Sequence, residues 1–158
     1  MPDSDSLFEL VYQELRQAAR RLGPDRSLQP TDLVHEVFLR LRDRDWESPE
    51  HFRAVASVAM RQVVIDRSRR RDTMKRGGER QRITLSGLGS EPHEMDLIDV
   101  ERVLQRLETM DSRKGNIVTM RIFGGMELNE IADSISVSLS TVKREWRTAR
   151  AWLMAELS

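Results

Sequence analysis

Cysteine is absent from the 158 residues, which excludes disulfide staples and thiolate metal sites. Aromatic residues are scarce at 5%. The apolar positions fall instead to Leu, Val, Ile, Met and Ala, a mix that packs as helices more readily than as a β-sandwich. No apolar run approaches the roughly 20 residues that cross a bilayer, and MPDSDSLFEL has neither the basic nor the apolar part of a signal peptide. The expectation is a soluble, cytoplasmic chain with no membrane insertion. An excess of one charge is missing too, since 26 Lys/Arg balance 26 Asp/Glu, but a global sum hides asymmetry along the chain. Between Arg61 and Arg82 nine bases face three acids, from Ile83 to Met110 six acids face two arginines, and from Thr141 onward four bases face two acids. Two basic zones are separated by an acidic one.

Helical periodicity is what the chain does have. Leu7, Leu10, Val11, Leu15, Ala18, Ala19 and Leu22 share one helical face, and Gly23-Pro24 ends the pattern as a C-terminal glycine followed by proline does. Thr31 is the expected N-cap of a second helix with Leu33, Val34, Val37, Phe38 and Leu41 inward. Ser48-Pro49 starts a third, which buries Phe52, Val55, Ala56, Ala59, Val63 and Val64 and then runs into the basic DRSRRR. From Asp72 to about Asp96 the periodicity fails, no strand-period segment is evident, and KRGGERQR and SGLGSEPHE have a linker's composition. Apolar spacing resumes at Leu97, Val100, Val103, Leu104 and Leu107, continues after a cap at Asp111 with Ile117, Val118 and Ile122, and halts at Gly124-Gly125. The expected fold is all-α: two small helical domains, residues 1–72 and 97–158, joined by a flexible linker over 73–96.

The stretch NEIADSISVSLSTVKREW, Asn129 to Trp146, has the layout of a helix-turn-helix. In that motif the first helix braces and the second enters the major groove. Ile131, Ala132 and Ile135 form an inner face, Val137 fills the turn, and Ser138 caps the second helix. Val142, Trp146, Ala149, Leu153 and Leu157 then make one apolar stripe, while Ser140, Thr141, Lys143, Arg144, Arg147 and Thr148 share the polar face. Arginine and lysine at such positions bond guanine edges, and hydroxyls reach bases or phosphates. An amphipathic hairpin with merely solvated charges remains the competing reading, and Trp146 reads as core rather than as a base-stacking residue.

Together these segments resemble the bacterial extracytoplasmic-function sigma factors of the sigma-70 family. TDLVHEVFLRLR followed by HFRAVASVAMRQVVIDRSRRR resembles sigma region 2, and MRIFGGMELNEIADSISVSLSTVKREWRTARAWL resembles region 4. The resemblance covers nearly the whole chain, with no region 3 between the halves. It implies a factor that is no enzyme itself, needs no cofactor or metal, and lends promoter specificity to core RNA polymerase through the β′ clamp helices and the β flap. Docking on the clamp helices is carried over to Asp32, His35, Glu36 and Arg40. Capture and melting of the minus-10 element are carried over to Trp46, Arg61 and Gln62, with strand-backbone contacts from Arg67, Arg69, Arg70 and Arg71; packing against the second helix is an equal reading for Trp46. The minus-35 duplex would meet Ser140, Thr141, Lys143, Arg144, Arg147 and Thr148, with Arg121, Asn129 and Ser138 on phosphates. Promoter DNA and core polymerase are thus the implied partners, and an anti-sigma factor clamping the two domains is compatible with them.

Four residues depart from the family pattern. Ser136 stands at the usual turn glycine, so it either accepts a positive φ or changes the turn. Glu127 replaces a capping Ser or Thr, predicting a ragged helix start; Arg61 stands where asparagine is common; and Gly115 weakens its helix by about 1 kcal/mol relative to alanine. An operator-binding dimeric regulator is the alternative function, and it predicts tight DNA binding without polymerase. A nucleic-acid enzyme fits poorly, because His35, His51 and His93 lie in separate segments and the carboxylates form no evident metal cluster.

Overall fold

A computed structural model describes residues 4–22, 29–74, 82–85 and 93–158. The order along the chain is α1 (Ser4–Arg21), α2 (Pro30–Leu41), α3 (Pro49–Met74), β1 (Arg82–Leu85), β2 (His93–Asp96), α4 (Leu97–Met110), α5 (Ser112–Ile122), α6 (Leu128–Ile135) and α7 (Leu139–Leu157). The all-α expectation is borne out, with one small exception. Within the expected linker, β1 and β2 pair antiparallel with Ile83 opposite Met95 and Leu85 opposite His93. Ile83 and Leu85 alternate inward and are buried, and the Thr84 amide donates to the Leu22 carbonyl at 2.8 Å, tying the hairpin to the end of α1. Four-residue strands in a Gly- and charge-rich context carry too short an alternation to stand out from a linker.

Helix ends follow local chemistry. Ser48 caps α3 by accepting the His51 amide at 3.1 Å. Asp96 caps α4 by accepting the Ile98 and Asp99 amides at 2.8 and 3.2 Å. Asp111 caps α5 through the Lys114 amide at 3.1 Å and also meets Lys114 Nζ at 3.0 Å; these bonds, the backbone one foremost, hold its carboxyl below the usual carboxylate range. The start of α2 differs from expectation. Gln29 is its cap and Pro30 its first residue, a position where the missing N–H costs nothing, so Thr31 lies inside the first turn. Gly23-Pro24 falls outside the described residues.

Packing builds an N-terminal bundle of α1, α2 and α3 and a C-terminal bundle of α4 to α7, and α3 also packs against α4, α5 and α6. The buried apolar residues form one cluster that runs from Leu7 to Leu153. Gly115 explains itself here. It is buried on α5, where a Cβ would collide with the Glu108 side chain of α4, so the helices cross more closely than alanine would permit. The same logic applies at Gly124, whose Cβ would overlap Ser57 Oγ of α3, and Gly125 takes φ +63° beside Ala18 of α1. Trp46 is 2% exposed, and the rings of Phe52 and His51 of α3 lie 4.9 and 5.5 Å away. It is a core residue in this arrangement, with its ring neighbours on α3 where the packing reading expected the second helix.

Candidate nucleic-acid interface

The hairpin of α6 and α7 is shaped by its turn. Ser136 adopts φ 56° and ψ 44°, the left-handed conformation usual for glycine, and its neighbour's amide, Val137 N, donates to Ala132 O at 3.1 Å. Of the two options the sequence left open, serine accepts the positive φ. The start of α6 is orderly rather than ragged, because Glu130 Oε1 accepts the Glu127 amide at 3.0 Å. Ser138 caps α7 by accepting the Thr141 amide at 3.3 Å and donates to Thr141 Oγ1 at 2.9 Å.

Along α7, Val142, Trp146, Ala149 and Leu153 are buried and Leu157 is half-buried, as the stripe requires. Fully burying a large aliphatic side chain contributes about 1.5–3 kcal/mol, so this stripe fixes which face points outward. Ser140, Lys143, Arg144, Arg147 and Thr148 are all exposed on that outward face, and Thr141 is half-exposed. The Thr148 hydroxyl donates back to Arg144 O at 3.1 Å, leaving its oxygen lone pair outward. Glu145, missed in the sequence reading, is buried on α7 and paired in a fork with Arg113 of α5, whose guanidinium that hydrogen bond holds above its ordinary range. The pair fixes the rotation of α7 about its axis. Asn129 is exposed at the start of α6, whereas Arg121 is turned inward to Met126 O at 2.9 Å and toward Glu127 Oε2 at 3.5 Å.

These features, an outward basic face on the second helix of a braced hairpin, agree with a match over residues 2–158 to the model of the ECF sigma factor family. The chain belongs to the ECF sigma factor family. Its members are transcription factors rather than enzymes. No curated protein matches the chain. No described helix of this sigma factor is long and apolar enough to cross a membrane.

The N-terminal half places its expected residues in two groups. On α2, Asp32 and His35 are exposed. Glu36 and Arg40 are instead engaged with α3: Arg40 bonds Asp66 at 2.9 Å and Glu36 at 3.3 Å, and Glu36 accepts from Arg67 at 3.2 Å with Arg70 at 3.9 Å. The basic run of α3 is therefore braced by one carboxylate of α2. Gln62, Arg69 and Arg70 are exposed; the Arg71 side chain lies outside the described residues. Arg61 is the exception. It is 8% exposed and points into the C-terminal half, where Nε and Nη2 bond the two carboxylate oxygens of Glu101 at 2.9 and 3.1 Å. Nη2 also meets Glu108 at 2.6 Å, and Nη1 donates to Thr119 Oγ1 at 3.1 Å. Burial works against its charge, but the hydrogen bonds and attraction of Glu101 and Glu108 outweigh it, and the guanidinium is held above its ordinary range.

Proposed function

We propose that this ECF sigma factor binds core RNA polymerase and directs it to promoters, reading the minus-35 element as duplex with α7 and the minus-10 element as separated strand with α3. The observation that carries the reading is the α7 face: Ser140, Lys143, Arg144, Arg147 and Thr148 are exposed together, opposite a buried stripe that leaves that face no packing role. A helix of this kind fits the major groove, where Arg and Lys bond guanine and the Ser138 end of the helix meets a phosphate. Asn129 supplies a further phosphate contact, and Arg121 joins them after leaving its turn carbonyl. On α3, Gln62, Arg67, Arg69, Arg70 and Arg71 line the path of the unpaired strand, whose backbone favours such a basic track. The exposed Asp32 and His35 of α2, with Glu36 and Arg40 behind them, form the surface for the β′ clamp helices.

The test mixes the purified chain with core polymerase and scores promoter-dependent transcripts. Changing Lys143, Arg144 and Arg147 to alanine should each weaken minus-35 duplex binding by roughly 1–3 kcal/mol per lost base contact while core binding stays intact. Loss of core binding in those variants would show that the α7 face was misassigned. A dimer that binds operator DNA tightly and never initiates with polymerase would replace this reading with that of a regulator.

A further inference from the structure

The minus-10 residues and the C-terminal half share one cleft of about 370 Å³, lined on one side by Arg61, Gln62 and Arg69 of α3 and on the other by Glu101 and Glu108 of α4. Glu101 holds Arg61 in a two-oxygen fork. A phosphate would hold a guanidinium in the same fork. With Glu108 on Nη2 and Thr119 on Nη1 as well, each nitrogen of Arg61 is engaged, so the side chain cannot serve a nucleic acid strand in this arrangement.

A second set of contacts holds the halves in this register. Arg53 of α3 pairs with Glu130 of α6 and donates to Gly125 O at 3.0 Å. Ser57 Oγ sits against Gly124, where there is no room for a Cβ, and 3.7 Å from Met126 Sδ. The contact between the halves thus adds ion pairs and close-packed small residues to the apolar cluster that the halves share. Buried ion pairs return little net stability after desolvation, so the polar part of the contact adds little to what holds the halves together. Asp32 and His35 on α2, Gln62, Arg69 and Arg70 on α3, and the outward face of α7 stay exposed meanwhile.

We propose that the packed chain is a self-masked form, in which the acidic face of α4 occupies Arg61 in place of the promoter strand until the halves separate. This rests on the sigma-factor reading above. Closure and strand contact compete for one guanidinium, so they exclude each other at Arg61. Docking on polymerase through α2 can precede opening, and opening then frees Arg61 for the strand. The acidic zone between two basic ones acquires a purpose: it is the chain's own substitute for phosphate.

The absence of cysteine makes the test direct. Cysteines introduced at the exposed positions Asp43 and Ala155 carry a fluorescent pair on the full-length chain. Two openings are compared with the parent: Ser57→Leu, which drives a side chain into Gly124, and Glu101→Gln with Glu108→Gln, which removes the acids. The probe is a mixed-sequence single strand of about 12 nucleotides. Both variants should lower energy transfer and bind the strand about tenfold more tightly, as expected if about a tenth of the parent is open. Adding Arg61→Ala to either should abolish the gain. Opening without tighter binding, or transfer unchanged in the Gln pair, overturns the proposal. Core-polymerase binding of the parent, measured in parallel, separates the two readings: its absence sinks the sigma-factor role, whereas its presence with unchanged strand affinity sinks only the masking.

Discussion

Ser136 illustrates how one residue can be legible in kind and open in outcome. Its place at the usual turn glycine of the family pattern marked a site that favours positive φ, and the backbone there is indeed left-handed at φ 56°. A side chain in that region costs roughly 1–2 kcal/mol, while glycine loses about 0.5–1 kcal/mol more backbone entropy on folding. The steric cost exceeds the entropic one. Ser136→Gly should therefore stabilise the C-terminal half by about 0.5 kcal/mol, read as a higher urea midpoint at unchanged slope; a lower midpoint would mean that the serine makes a compensating contact. Trp46 and Arg61 teach the opposite lesson. The resemblance carried minus-10 contact to both, with packing an equal reading for Trp46; in the packed chain Trp46 lies beside Phe52 and Arg61 against Glu101. Periodicity reports which face a residue occupies, not what a distant segment later lays over it.

Element by element, the helices were readable because their apolar faces repeat over many turns. Their boundaries were readable where a cap has a side-chain signature, as at Ser48 and Asp111. They slipped where the cap is a backbone conformation, as at Gln29-Pro30, and the β1–β2 hairpin was missed because four-residue strands, with Ile83 and Leu85 inward in β1, carry too short an alternation. Gly115 shows propensity yielding to packing. By propensity alone, alanine would stabilise α5 by about 1 kcal/mol. Overpacking a close helix crossing costs typically about 1–3 kcal/mol, and the obstruction is the Cγ and backbone of Glu108 rather than a mobile side-chain tip. We expect Gly115→Ala to lower stability by about 1 kcal/mol net, checked by thermal unfolding, and to disturb Arg61 through Glu108; a stabilised variant would show that α4 moves aside freely.

At the scale of the whole molecule, the sequence carried the order of the modules but not their docking, because Arg61–Glu101 and Arg53–Glu130 join residues 40 and 77 positions apart and leave no periodic trace. What they do leave is a prediction about salt. Binding of a single strand loses affinity with salt at a slope of about −0.7 per phosphate neutralised. In the parent chain a second equilibrium is superimposed. Breaking Arg61 from Glu101 and Glu108 exposes charges of both signs, which take up ions, so salt favours opening while it weakens strand contacts. The two effects oppose each other. The parent should therefore show a shallower salt slope than the Glu101→Gln, Glu108→Gln variant, in which little remains for salt to open, and the two affinities should converge as salt rises. Parallel slopes, measured by fluorescence anisotropy over the same salt series, would place the hold between the halves in Ser57, Gly124 and their apolar neighbours instead of in the acids of α4.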